Sequence, residues 1–325
     1  MRPAWRWPAW AILLALLPGL ARAVIFYSTG DPTYNTSAPT GALQGSGWQL
    51  VGSWQSLQGT PIGPHHFLTA RHIGGAVGDP LLLNGVNYPT IAFFDDAATD
   101  LRICEISGTF PAWAAIYRGN AEVGSGFVIF GRGLTRGDAV AVAGVTKGWM
   151  WGGTGGALRW GQNSFASIVD GGSYWGQLLY ALFTGAGGVN EVHLADGDSG
   201  GPAFLQAPDG TWQVAGIAAA VDAAFNTTDS GSGFDAAIFD ERGLYFGAEG
   251  NWTLITGSSP VPSGFYCTQV SVRAAWIDSI VPSVISTDAP ALGGWELALL
   301  ALALAGLGIA ALATPGQRRR YGLVK

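Results

Sequence analysis

Glycine is the feature that most constrains this chain: 50 of its 325 residues are Gly. They cluster with Pro, Asn and Ser at short intervals, and few stretches between them carry helical spacing. Short β-type runs stand between the clusters, at residues 48–54, 127–130, 139–145 and 212–221. Strands of that length with frequent turns predict an all-β sandwich or barrel. One stretch departs from this. Val272, Trp276, Ile277 and Ile280 fall at helical spacing and Pro282 ends the run, which predicts a single short C-terminal helix. Between residues 24 and 287 no internal repeat or charge run is present. Residues 222–263, rich in Gly, Ser and Asp, read as an insertion.

Composition removes several classes. With 48% hydrophobic residues the chain can bury a core, and with 12% charged residues it is neither a coiled coil nor a basic nucleic-acid binder. Two cysteines make neither a disulfide-dense scaffold nor an all-cysteine zinc site. The mean hydropathy of +0.27 is high for a soluble protein, and the two ends carry the excess. Residues 1–23 have the three regions of a secretory signal: Arg2 and Arg6, an apolar run over 9–20 too short to span a bilayer, and Ala21-Arg22-Ala23 as a cleavage pattern. The mature chain is then expected to begin at Val24, outside the cytoplasm.

Near the other end, residues 297–313 are uncharged and apolar, and at about 1.5 Å of rise each they reach roughly 25 Å, enough for a short transmembrane helix. Trp295 and Glu296 suit its outer boundary, and Arg318, Arg319 and Arg320 place its far end in the cytoplasm. Residues 288–325 resemble the C-terminal sorting signals of the PEP-CTERM and IPTL-CTERM type, found on exported bacterial proteins. That resemblance implies an exosortase-like processing enzyme as a partner and a surface or membrane-anchored location. Pro-Glu-Pro itself is missing, and a plain membrane tail is the other reading. The three arginines before residue 24 and the net +3 after Pro290 leave −12 of charge on residues 24–290, against −6 for the whole chain. An exported domain so acidic disfavours anionic partners such as nucleic acid.

The chemistry is concentrated in Asp196-Gly197-Asp198-Ser199-Gly200-Gly201-Pro202, a serine in a glycine-lined bend before an apolar strand. A nucleophilic hydroxyl needs such a rigid, open turn, and flanking glycines let backbone N–H groups face an incoming carbonyl. Upstream, Phe67-Leu68-Thr69-Ala70-Arg71-His72 ends an apolar strand with a histidine, and Thr99-Asp100-Leu101-Arg102-Ile103 opens another with an aspartate. His65 and His66 read as surface turn residues.

Together these segments resemble the chymotrypsin/trypsin-like serine proteases. Gly197-Asp198-Ser199-Gly200-Gly201-Pro202 is similar to that family's nucleophile motif, and Leu68-Thr69-Ala70-Arg71-His72 to its histidine motif. Asp100-Leu101-Arg102-Ile103 stands where the family has its aspartate, and Gly131-Arg132-Gly133 where it has glycine-tryptophan-glycine. Gly264-Phe265-Tyr266 and Trp276-Ile277 resemble its last strand and C-terminal helix. The resemblance implies two six-stranded antiparallel β-barrels, one over about 45–120 and one over about 121–285, within a protease domain of residues 24–287. It implies an endopeptidase acting on protein or peptide substrates through His72, Asp100 and Ser199. The oxyanion hole would be the N–H groups of Gly197 and Ser199, and neither metal nor cofactor is implied.

Several positions depart from the pattern. Arg71 and Ile73 flank the histidine in place of alanine and cysteine, so the family's disulfide there is absent. Cys104 and Cys267 either pair or remain buried thiols. Ala219 stands where the family has a serine supporting the aspartate. His193 would occupy the base of the primary pocket and Val221 its wall, which favours a narrowed pocket for small side chains over one selecting acidic ones. Asp198 needs a partner if buried; Arg132 is the preferred one, and a new N-terminus at Val24 is the alternative. A catalytically weak surface binding module on the same fold is the competing function. An esterase of the α/β-hydrolase type fits poorly, since its serine sits in a Gly-x-Ser-x-Gly elbow.

Overall fold

The computed structural model describes residues 24–153 and 155–282. The signal segment 1–23 and the tail 288–325 lie outside the described residues. Among the described residues, no helix is long and apolar enough to cross a membrane.

Twelve strands close into two rings. The first consists of β1 (Gly52–Trp54), β2 (Leu57–Gly63), β3 (His66–Ala70), β4 (Pro80–Leu83), β5 (Val86–Asp95) and β6 (Leu101–Ile106). They pair antiparallel in the order β1-β2-β3-β6-β5-β4, and Ser53 opposite Leu82 closes the ring. The second consists of β7 (Gly126–Gly131), β8 (Arg159–Asp170), β9 (Gln177–Leu182), β10 (Pro202–Gln206), β11 (Trp212–Val221) and β12 (Gly264–Gln269). Their order is β10-β7-β8-β9-β12-β11, closed by the pairing of β10 with β11 from Pro202↔Ile217 to Gln206↔Trp212. Helix α1 (Ala274–Ile280) follows. The expected all-β architecture, two six-stranded antiparallel barrels and a short C-terminal helix, is the observed one.

Strand periodicity explains why the apolar runs are continuous rather than alternating. Successive side chains point to opposite faces, and here both faces are covered. On β7, Phe127 and Ile129 fill the second barrel with Phe165, Leu205 and Phe265. Their neighbours Val128 and Phe130 join Leu68, Leu101 and Ile103 of the first barrel and Ile277 of α1 in one apolar layer. Phe67, Cys104 and Ile106 turn the other way, into the first barrel with Trp54 and Leu81. A strand buried on both sides has no reason to alternate polar residues.

Local readings need three amendments. Residues 48–54 begin as a 3₁₀ turn (Trp48–Leu50) and only their end is strand β1. Residues 139–145 are one arm and the tip of a hairpin between Thr135–Val142 and Val145–Gly152. Its two loop residues, Ala143 and Gly144, both have positive φ, the tight turn that matches strand twist. The insertion is ordered: its strand Ala236–Ile238 joins that hairpin in a three-stranded sheet, and Asp240 pairs with Lys147 at 2.6 Å and Arg242 at 2.7 Å.

The segment Val24–Phe26 is buried as well. Val24, Ile25 and Phe26 are almost wholly inaccessible, and Ile25–Phe26 pairs antiparallel with Val192–His193.

Candidate active site

His72 leaves the first barrel directly after β3, in the 3₁₀ turn Arg71–Ile73. Asp100 stands just before β6, and because β3 and β6 are paired neighbours the two residues emerge side by side. The Arg71 N–H donates to the Asp100 carbonyl at 2.6 Å, and the His72 N–H donates to Asp100 Oδ1 at 3.0 Å. The carboxylate is fully buried, with Oδ2 at 2.5 Å from His72 Nδ1. Ser199 comes from the second barrel, in the bend before β10, and its Oγ lies 2.8 Å from His72 Nε2. With Nδ1–H donating to the carboxylate, a neutral imidazole leaves Nε2 to accept the serine proton. His72, Asp100 and Ser199 therefore form one chain of hydrogen bonds across the two barrels, and the imidazole remains 27% exposed.

The first barrel also grips the nucleophile bend. Gln58, buried within β2, donates its side-chain amide to the Gly197 carbonyl at 3.1 Å and its backbone N–H to the Ser199 carbonyl at 3.4 Å. Thr69 Oγ1 holds the Gln58 carbonyl in turn, at 2.7 Å. Sequence reasoning missed Gln58; its only signal is a single amide side chain in the short strand Leu57–Gly63. Gly197 adopts φ +90°, a left-handed conformation that favours glycine. Within the bend the Asp198 N–H bonds the Ala195 carbonyl. The flanking N–H groups of Gly197 and Ser199 have no partner among the described residues.

Asp198 is buried against the glycine turn 131–133. Its Oδ1 accepts the Gly133 N–H and its Oδ2 the Ala195 N–H, each at 2.8 Å. Both glycines are steric requirements: a Cβ on Gly131 would strike the Asp198 carboxylate, and one on Gly133 would meet the Asp196 carbonyl at 2.4 Å. Burial pushes the Asp198 carboxyl up to about 7, opposed by the N–H groups of Ala195, Gly133 and Val24 and by the positive charge of Arg159.

Arg132 does not pair with it. The Arg132 guanidinium donates to the Gly156 carbonyl at 3.1 Å and lines a separate cleft with Trp48, Asn84 and Leu158. The backbone of the turn faces Asp198, so the Arg132 side chain leaves on the other side. Val24 takes that place: fully buried, it packs against Gly131 and directs its backbone N–H at the carboxylate.

A cavity of about 590 Å³ opens beside Ser199. Ala219 and Val221 line it, as expected, but His193 does not. The His193 ring is fully buried, with Nδ1 at 2.6 Å from the Leu194 carbonyl and Nε2 at 3.1 Å from that of Gly264. Burial lowers its pKa. The pairing of Val192–His193 with Ile25–Phe26 turns this imidazole into the protein rather than into the pocket. The pocket is instead completed by residues that spacing did not indicate: Leu134 just before the hairpin, Trp151 within its second strand, and Asp235 from the insertion. Trp175, in a single helical turn between β8 and β9, packs edge-on to His72 with ring centres 5.9 Å apart. His66, expected at the surface, is buried as the first residue of β3.

Cys104 and Cys267 are free thiols. One points into each barrel, so no pairing is geometrically open to them. Burial raises both thiols far above their usual range.

Fold and site together define a class: a two-barrel β-protein with a hydrogen-bonded Asp–His–Ser chain where the barrels meet. No family model matches the sequence and no curated protein matches it. Among solved structures, mouse neuropsin, a serine protease expressed in the limbic system of the brain, is similar at 14% identity, covering 72% of this chain and 95% of that one, with a TM-score of 0.44. The Rv3671c protease in its inactive form is similar at 15% identity, covering 78% of this chain and 97% of that one, with a TM-score of 0.42. At that distance the function has to be read from the site.

Proposed function

We propose that this chain is an exported serine endopeptidase. The observation that carries the reading is the unbroken hydrogen-bond chain from buried Asp100 through His72 to Ser199, opening onto a cavity. Ser199 Oγ attacks the scissile carbonyl carbon as His72 Nε2 takes the hydroxyl proton. The carbonyl oxygen becomes an oxyanion that accepts from the unbonded N–H groups of Gly197 and Ser199, each such donor lowering the barrier by about 3 kcal/mol. Asp100 stabilises the imidazolium. Collapse breaks the C–N bond, His72 returns the proton to the leaving amine, and water repeats the sequence on the acyl-enzyme. Every step uses the chain's own groups.

The reading extends to the ends. Cleavage after Ala23 would leave the Val24 ammonium beside Asp198, replacing an amide N–H with a charged donor. The apolar segment 297–313 would hold the protein at the membrane, and the sorting-signal likeness of residues 288–325 would make an exosortase-like enzyme its processing partner.

A serine-reactive fluorophosphonate tests the proposal. Wild-type protein should be labelled and Ser199→Ala should not, and Asp100→Asn should lower kcat/KM on a peptide substrate by about 10⁴-fold. Absence of labelling in the correctly processed wild type would favour the binding module.

A further inference from the structure

Each peptide plane of the nucleophile bend is held at its carbonyl. The Asp196 carbonyl accepts the Leu134 N–H at 2.8 Å, and the Asp198 carbonyl accepts the Gly201 N–H at 3.1 Å. These two bonds fix the planes that carry the unpartnered N–H groups of Gly197 and Ser199, because a carbonyl and the following N–H share one plane. Between them lies the 197–198 plane, whose orientation sets the angle at which the two N–H groups converge. Gly197, with no side chain, leaves that plane free to rotate. Its carbonyl is held by the side chain of Gln58, the one donor in this set that comes from the first barrel.

Packing does not explain a glutamine there. Gln58 is fully buried, and its Oε1 has no hydrogen-bond partner. A buried acceptor left unpaired destabilises a fold, and an apolar side chain of the same size would avoid that cost. The reverse orientation of the amide would set Oε1 against the Gly197 carbonyl, acceptor against acceptor. What the amide achieves is its bond to the bend. Its backbone is fixed in turn by Thr69 of β3, the strand that leads into His72. Gly200 packs so closely on this pair that a Cβ there would meet the Gln58 carbonyl at 2.4 Å and Thr69 Oγ1 at 2.7 Å.

We propose that Gln58 is a positioning residue for the oxyanion hole, locking the 197–198 peptide so that the N–H groups of Gly197 and Ser199 converge on one point. The inference rests on the serine-protease reading and adds to it a residue that touches no reacting atom. Thr69 and His72 lie on one strand and the turn after it, so the same scaffold that carries the general base also sets the donors. Base and oxyanion hole are thereby held in register across the two barrels, as preorganised stabilisation of a developing charge requires.

The test uses the full processed chain. Gln58→Met, similar in size and without a donor, should lower kcat on a peptide amide by about tenfold or more while KM stays within about twofold, since the N–H groups act once the oxyanion forms. Affinity for a peptide trifluoromethyl ketone, whose adduct with Ser199 carries an oxyanion, should fall in step. Binding of the uncleaved peptide to Ser199→Ala should not change when Gln58→Met is added. The carboxyl introduced by Gln58→Glu can donate to the Gly197 carbonyl only when protonated, so the kcat of that variant relative to wild type should rise as the pH falls. Gln58→Met with kcat and ketone affinity within about twofold of wild type overturns the positioning role and leaves the protease reading standing. An equal loss in peptide binding to Ser199→Ala does the same. Should Gln58→Met not fold, a Gln58→Glu ratio that is independent of pH overturns the role. If wild type is neither labelled by the fluorophosphonate nor active, the protease reading fails and the role of Gln58 fails with it.

Discussion

Asp198 and Ser199 are neighbours in sequence with opposite environments, and the difference is chemical. Ser199 faces the cavity, while Asp198 turns inward to the N–H groups of Gly133 and Ala195. In the chain still carrying residues before Val24, Asp198 has no ammonium to pair with, and its folded carboxyl titrates near 7 against about 4 when unfolded. Between those values the folded chain holds more protons than the unfolded one, so stability from this group falls as pH rises from about 4 to about 7. Urea midpoints of the unprocessed chain across that window should show the decline, and Asp198→Asn should flatten it. A midpoint that rises over the same window in the parent, with no change in the variant, would contradict this account of Asp198.

At the scale of the element, β7 is the strand on which both barrels depend. Phe127 and Ile129 serve the interior of the second barrel, and Val128 and Phe130 serve the layer it shares with the first. Phe130 is fully buried, so Phe130→Ala should cost about 3–5 kcal/mol, measured by denaturant unfolding. A loss below about 1 kcal/mol would show that the shared layer can collapse around the gap. The apolar run at 127–130 and the helical spacing before Pro282 were legible because each element's burial repeats along its own sequence. The hairpin at 135–152 was only half legible: residues 139–145 read as one strand because apolar residues continue through its tight turn. The insertion was least legible. Its glycines and serines describe loops, while its strand at Ala236–Ile238 is fixed by a partner in the hairpin.

At the scale of the whole molecule, the segment Val24–Phe26 joins two distant parts of the second barrel. Val24, Ile25 and Phe26 are buried between the glycine turn at 131–133 and the Val192–His193 strand, both distant from them in the sequence. A buried ammonium paired with Asp198 requires a free N-terminus at Val24 and no other residue. Chain prepared with two extra residues before Val24 should therefore lose activity by more than about tenfold relative to chain beginning at Val24, judged by kcat/KM on one peptide. Equal activity would mean that Asp198 needs no ammonium.

Some of this was decided by sequence alone. Turn residues at short intervals specified a β-protein, and the segments ending in His72, beginning at Asp100 and bending at Ser199 singled out the residues that the fold brings together, because each is marked by its immediate neighbours. Four matters were settled only in three dimensions. Asp198 faces Val24 rather than Arg132, His193 turns away from the pocket, Cys104 and Cys267 occupy different barrels, and Asp235 stands in the pocket wall. Each depends on which face of a strand meets a segment distant in the chain, as Gln58 meets Gly197 across 139 residues. Spacing along the sequence carries the direction of a side chain within its own strand, but not the identity of what covers it.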